Sequence, residues 1–284
     1  VRVGDGNNDG DVDIVVADNG AGAGNTVSIL LGNGDGSFLD RSTLLTGTGP
    51  TDIALADFNG DGNLDIVTAN NQGTTSGSSV YYGTGSGTFV IQATLTTGAD
   101  AFSVTSGDWN GDGHLDLAFL NQTGAGTVTT FVNNGAGVFT NGATLTVTTT
   151  TERIRAGDIN NDGLDDLISA NQGSNNLSLF ISSGNGSFTT GTTVTTGTNE
   201  GGYDVHLVDV DNDGVLDIVT PSSGASGGTS FSGISIVKAI STNVSANADI
   251  TVATYTKAQQ LIEIVDGAIA SLNEERANIS ALHN

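Results

Sequence analysis

The chain has no cysteine and no methionine, three histidines, and only 7 basic side chains against 31 acidic ones. Without cysteine there is no disulfide framework and no thiol chemistry. A formal net charge of −24 with so few cations offers no phosphate-binding surface, so no nucleic-acid partner is expected. No apolar run reaches the roughly eighteen residues of a membrane span, so none is expected. His114, His206 and His283 stand in no triad or metal motif, and an enzyme is not expected. No signal peptide is recognisable and Val1 opens the chain, which reads as an internal piece or a processed form of something longer.

What is there is a repeat. Five nine-residue acidic loops begin at Asp5, Asp57, Asp108, Asp158 and Asp209, spaced 52, 51, 50 and 51 residues apart. Each reads D-x-[DN]-x-D-G-x-x-D. Oxygens at positions 1, 3 and 5 converge on one ion when the chain curls tightly, and the Gly at position 6 permits the positive φ of that curl. Position 7 offers its backbone carbonyl, and the Asp at position 9 closes the shell.

The candidate ligands are therefore Asp5, Asn7, Asp9, Asp11 and Asp13; Asp57, Asn59, Asp61, Asn63 and Asp65; and Asp108, Asn110, Asp112, His114 and Asp116. The last two loops add Asp158, Asn160, Asp162, Leu164 and Asp166, and Asp209, Asp211, Asp213, Val215 and Asp217. An all-oxygen set with several carboxylates suits Ca²⁺, which accepts six to eight oxygens in flexible geometry; Mg²⁺ is second choice. About five Ca²⁺ are expected. The competing reading is an Asx- and Gly-rich surface turn without metal. Recurrence of the odd-position oxygens in all five copies favours calcium. The loop is not an EF-hand, because the twelfth-position Glu and the flanking helices are missing.

Short β-branched runs follow each loop, such as Asp65-Ile-Val-Thr-Ala and Asp217-Ile-Val-Thr-Pro, which places the loops between strands. A second element recurs about thirty residues after each of the first four loops: Gly32 to Phe38, Gly83 to Phe89, Asn133 to Phe139 and Ser182 to Phe188. Its Gly-rich turn signals a hairpin. Each repeat then holds four strand candidates; in the second these are Asp52–Ala56, Leu64–Ala69, Ser79–Tyr82 and Thr88–Leu95. Four short antiparallel strands per unit of about fifty residues predict an all-β fold, a β-propeller of four-stranded blades. The hairpin Phe and loop position 2 (Phe58, Trp109, Ile159, Val210) are expected in the core between blades.

Loop and G-x-G-x-F hairpin together resemble the FG-GAP/VCBS repeat, the calcium-bearing blade also used in integrin α-subunit heads. The resemblance covers Val1 to about Ile240 and implies calcium in the loop of each blade, opposite the usual partner-binding rim. It also implies ligation by loop positions 1, 3, 5 and 9 with the carbonyl of position 7. Repeats one to four are complete and the fifth lacks the hairpin. A five-bladed ring and a seven-bladed ring with two blades upstream are both compatible with this pattern.

Residues 241–255 read as a linker. From 256 to 284 the pattern turns helical: Ala258, Leu261, Val265, Ala268, Leu272, Ile279 and Leu282 form a heptad-like seam, broken only at Glu275. The run Val265-Asp266, Ala268-Ile269, Leu272-Asn273, Arg276-Ala277, Ile279, Ala281 and Asn284 resembles the C-terminal half of bacterial flagellin, with Ser280 and His283 departing from the family pattern. That resemblance implies self-assembly through the helix. The expectation is a non-enzymatic subunit of a bacterial extracellular filament, carrying a calcium-stabilised propeller as surface domain. The alternative is a secreted calcium-dependent adhesin or carbohydrate-binding propeller with a surface glycan or protein ligand.

Overall fold

In the computed structural model, the structure describes residues 1–71, 77–123, 126–147, 151–171, 176–189, 192–195, 204–223 and 231–237. The expected linker and flagellin-like helix, 241–284, lie outside the described residues. The described residues form nineteen strands in five sheets. The first sheet holds β1 (Arg2–Gly4), β2 (Asp13–Asp18), β3 (Thr26–Leu30) and β4 (Ser42–Leu45). The second holds β5 (Pro50–Ala56), β6 (Asp65–Asn70), β7 (Ser78–Gly83) and β8 (Phe89–Leu95). The third holds β9 (Ala101–Gly107), β10 (Asp116–Asn121), β11 (Thr127–Asn133) and β12 (Phe139–Thr146). The fourth holds β13 (Thr151–Gly157), β14 (Asp166–Asn171), β15 (Asn176–Phe180) and β16 (Thr192–Thr195). The fifth has three described strands, β17 (His206–Val208), β18 (Asp217–Ser223) and β19 (Phe231–Val237).

Within each sheet consecutive strands pair antiparallel, as short connections dictate. The expected strands of the second repeat match the observed ones to within two residues. First strands of successive sheets pack on one another in chain order, β1 to β5 to β9 to β13 to β17. This is the arrangement of propeller blades around an axis.

No sheet has a core of its own. The apolar clusters lie between neighbours: Val15, Val27 and Ile29 of the first sheet meet Ile53, Ile66 and Tyr81 of the second. Val67, Ala69 and Val80 of the second meet Val104, Leu117 and Phe131 of the third. Leu120 and Val128 meet Ile154 and Phe180, and Ile168 and Leu177 meet Val205 and Ile218. Strands β6, β10 and β14 are therefore buried along their whole length, on both faces. Their central residues are mainly apolar, as a strand covered on both sides requires, while an Asp opens and an Asn closes each of them.

The aromatic expectation holds for three repeats. Phe58 meets Phe139 of the next sheet edge to face at 6.0 Å, and Trp109 meets Phe188 at 5.9 Å. Phe89 packs in the interface of the first two sheets, where a Cβ on Gly6 would touch its ring. Phe38 departs from the expectation: it is 40% exposed.

Polar links also cross between sheets near the axis. Buried Asp52 accepts from Arg2 of the preceding sheet at 2.8 Å and from the Ser103 hydroxyl of the following one at 2.8 Å. Arg155 reaches Asp204 of the next sheet in the same manner at 3.1 Å.

Trp109→Ala removes the largest fully buried side chain and leaves a cavity between two sheets. We expect a loss of about 3–5 kcal/mol, read from the midpoint of urea unfolding followed by circular dichroism. A loss below about 1 kcal/mol would mean that this interface does not carry the core.

Candidate metal centre

All five loops share one local geometry, and it follows from their sequence. The Asp at position 1 accepts from the backbone N–H of position 5 with one oxygen and of position 6 with the other. In the third loop these are Asp112 N to Asp108 Oδ1 at 3.2 Å and Gly113 N to Asp108 Oδ2 at 2.8 Å. The position 6 N–H lies 2.8–2.9 Å from the first Asp in every loop. Position 3 accepts from the N–H of position 5, as Asn59 does from Asp61 at 2.9 Å. Position 5 accepts from the N–H of position 7, as Asp112 does from His114 at 2.9 Å. These are successive Asx turns, and they curl the chain around one point.

The glycines at position 6 have φ between 82° and 89°. Position 4 is left-handed too: Asn8, Gly60, Gly111, Asn161 and Asn212 all have positive φ. That second requirement was readable, since position 4 is Asn or Gly in every copy, the residues that tolerate this region best.

The Asp at position 9 differs from the others. Asp13, Asp65, Asp116, Asp166 and Asp217 are all buried. In four of the five loops one oxygen accepts from the N–H of loop position 2, as in Asp13 from Gly6 at 2.7 Å and Asp65 from Phe58 at 2.8 Å. The other accepts from the chain at the end of the sheet's third strand: Gly32, Gly83, Asn133 and Ser182, at 2.8–2.9 Å. One carboxylate thus ties the loop to two strands. In the third loop Asp116 Oδ2 is buried without a hydrogen-bond partner. In the fifth, oxygens of Asp209, Asp211 and Asp217 gather within 4.8 Å of one another.

Position 7 meets the hairpin. A Cβ on Gly34, Gly85, Gly135 or Gly184 would run against Asp11, Asn63, His114 or Leu164 of the same sheet. The two recurring motifs are therefore one structural unit: the first Gly of each hairpin turn makes room for the position 7 side chain. His114 is spent on this packing. His206 is exposed and lies 3.4 Å from Asp204. Neighbouring loops touch in two pairs, the first and second through Asn8 and Asn63 at 2.7 Å and the third and fourth through Asp165 N and Asp108 O at 3.0 Å.

The donor set fits a hard cation. Every loop offers oxygens for ligation, and at position 9 the carboxylates of Asp65, Asp116 and Asp166 lie in surroundings that disfavour their charge. Burial pushes Asp65 and Asp166 up to about 6 and Asp116 up to about 7, with the carboxylates at positions 5 and 1 adding to the rise. Their N–H partners pull the other way and do not cancel it.

These shifts fix a pH dependence for the metal-free protein. The folded carboxyls hold protons more tightly than the unfolded ones, which titrate near 3.9. Their contribution to stability is complete below that value and is lost as pH rises through about 6 to 7. In metal-depleted buffer Tm should fall from pH 4 to pH 8, measured by calorimetry. A metal-free Tm that rises over the same range would contradict the burial of these groups. With a divalent cation in excess the slope should reverse, because the cation favours the charged form.

Comparison with known proteins comes to the same repeat. No curated protein matches the sequence. Among solved structures, a lectin of Agrocybe aegerita that recognises non-reducing terminal N-acetylglucosamine is 20% identical, with a TM-score of 0.53. The match covers 84% of this chain and 65% of the lectin. A protein from Lactobacillus plantarum is 18% identical over 79% of this chain and 64% of its own, with a TM-score of 0.50. The chain thus spans just under two thirds of either protein, and the likeness is one of fold. The model of the FG-GAP-like repeat matches residues 5–68, 57–119, 108–169 and 158–220, each match running from one acidic loop through the next. With the greater part of its length covered by four overlapping copies, the chain belongs to the FG-GAP-like repeat family.

Proposed function

We propose that the chain is a non-enzymatic, calcium-stabilised propeller scaffold at a bacterial extracellular surface, acting as an adhesin or carbohydrate-binding module. The observation that carries the calcium reading is the buried position 9 carboxylate, repeated in five loops and left with an unpartnered oxygen at Asp116. Side chains at positions 1, 3, 5 and 9 of each loop would hold the ion, with the backbone carbonyl of position 7. Bound Ca²⁺ supplies positive charge where each loop concentrates negative charge. The protein's own part is to pre-curl the loop through its Asx turns, so that binding orders little further chain.

The recognition reading has weaker support. It rests on the propeller fold shared with the Agrocybe aegerita lectin, which binds a terminal sugar. The filament reading rests on sequence alone, on the flagellin-like run from Ile264 to Asn284. It places the propeller outward from a filament and assigns self-assembly to the helical seam.

Calcium binds the folded loops and not the unfolded chain, so it should raise stability by mass action. A site at hundredfold excess over its Kd contributes about 2.7 kcal/mol, or roughly 5–10 °C in Tm for a domain of this size. Chelator should lower Tm accordingly, Ca²⁺ should restore it, and Mg²⁺ should restore it poorly. Asp112→Ala should reduce the calorimetric stoichiometry by one ion with partial loss of stability, since the other blades keep their sites. A Tm indifferent to chelator would sink the calcium assignment. Glycan-array and cell-surface binding in Ca²⁺, lost in chelator, is the expected result for the adhesin; binding to nothing in either condition would remove it.

A further inference from the structure

The contacts of the position 9 carboxylates continue into the preceding loop. In the third sheet the N–H of Asn133 donates to Asp116 Oδ1 at 2.8 Å, and the Asn133 carboxamide donates to the Phe58 carbonyl of the second loop at 2.8 Å. In the fourth sheet the N–H of Ser182 donates to Asp166 Oδ1 at 2.8 Å, and its hydroxyl donates to the Trp109 carbonyl of the third loop at 2.6 Å. Asn133 and Ser182 are both buried. Phe58 and Trp109 stand at position 2, one residue past Asp57 and Asp108, the first ligands of their loops. One residue thus joins the last ligand of its own loop to the chain beside the first ligand of the loop before. Gly32 and Gly83 fill the same place in the first two sheets and have no side chain to reach across.

The third and fourth loops share a second link. Position 8 is Val12, Leu64, Leu115 or Leu216 in the other loops and Asp165 in the fourth. The Asp165 carboxylate accepts from the Asp108 N–H at 2.8 Å, and the Asp165 N–H donates to the Asp108 carbonyl at 3.0 Å. Both backbone groups of one loop's first ligand are therefore held by a residue flanked by Leu164 and Asp166, two candidate ligands of the next ion.

We propose that the second, third and fourth loops bind cations with positive coupling, and that Asn133, Ser182 and Asp165 are the positioning residues that carry it. This rests on the calcium reading above. A cation on Asp166 fixes that carboxylate, and through Ser182 and Asp165 it fixes the backbone of Asp108 and Trp109. A loop whose neighbour is filled then has less freedom left to lose on binding. By linkage the effect is reciprocal. Through-space repulsion between two bound cations has the opposite sign, so the sign of the coupling separates the two causes.

Trp109 makes the third loop individually readable. It is the chain's single tryptophan and adjoins Asp108, so energy transfer from tryptophan to bound Tb³⁺, a luminescent stand-in for Ca²⁺, reports that loop. Asp158→Ala, which removes the first ligand of the fourth loop, should weaken Tb³⁺ binding at the third about tenfold, within the usual range of coupling between sites. With Ser182→Gly and Asp165→Leu in place, residues borrowed from other repeats, Asp158→Ala should change the third loop's affinity by less than about twofold. Reciprocity supplies a readout that leaves both linking residues intact. The Gly163 N–H donates to Asp158 in the fourth loop, and Asp112→Ala in the third should raise about tenfold the Ca²⁺ concentration at which this N–H gains protection from hydrogen exchange. A third loop whose affinity is unchanged or increased by Asp158→Ala overturns the proposal. So does a weakening that persists in full once Ser182 and Asp165 are replaced, or an exchange profile of Gly163 indifferent to Asp112→Ala. A parent chain with neither sensitised emission nor calcium-dependent protection removes the calcium reading and the coupling together, a result distinct from calcium sites that fill independently.

Discussion

The structure depends on the fact that no blade can bury its own apolar surface. A single sheet in this chain is apolar on both faces of its second strand, and Ile66, Val67 and Ala69 have nowhere to go without two neighbours. Burial is therefore a property of pairs of sheets. That explains why Phe58 needs Phe139 and Trp109 needs Phe188, each supplied from the following repeat. It also explains why the hydrophobic residues left on show concentrate on the first sheet, where Val1, Val3, Val12 and Phe38 belong to faces that the other sheets cover.

Against that apolar stack, each blade keeps a buried carboxylate at the end of its loop. Placing an acid in the interior is unfavourable unless hydrogen bonds hold it. At Asp13, Asp65 and Asp166 they come from two directions, the start of the loop and the end of the third strand, and so the carboxylate staples the turn to the sheet. Burial outweighs the N–H groups these carboxylates accept from, two at Asp65 and Asp166 and one at Asp116, which is why all three resist ionisation. A loop of this kind is held in shape by its own backbone and still has negative charge to offer. Structural staple and cation donor are two uses of one residue.

The repeat tolerates substitution where packing is local and resists it where strands meet. Position 7 varies from Asp11 to His114 to Leu164, because each side chain needs only the space left by a hairpin glycine. Position 8 shows a change with a compensating partner: Asp165 stands where other repeats carry an apolar residue, and it accepts from the N–H of Asp108 in the preceding sheet at 2.8 Å. An apolar contact has been exchanged for a hydrogen bond across the same interface. Asp165 is buried enough for desolvation to raise its pKa.

Much of this was legible in the sequence, and for a definable reason. The loops, their turns and the strands around them depend on residues within nine positions of one another, so Asp, Asn and Gly at fixed offsets determine them. The fifty-residue period then determines that the units stack. The left-handed position 4 was equally local and equally readable at Asn8, Gly60 and Gly111. Other features were decided only by tertiary structure. That Asp65 would also grip Gly83 depends on a strand pairing eighteen residues away, for which the loop holds no local signal. That Phe38 and Phe89, in near-identical hairpins, would end exposed and half-buried depends on whether another sheet lies against them. A turn is made by its own atoms, whereas burial is conferred by whatever packs on it, and only the assembled sheets settle that.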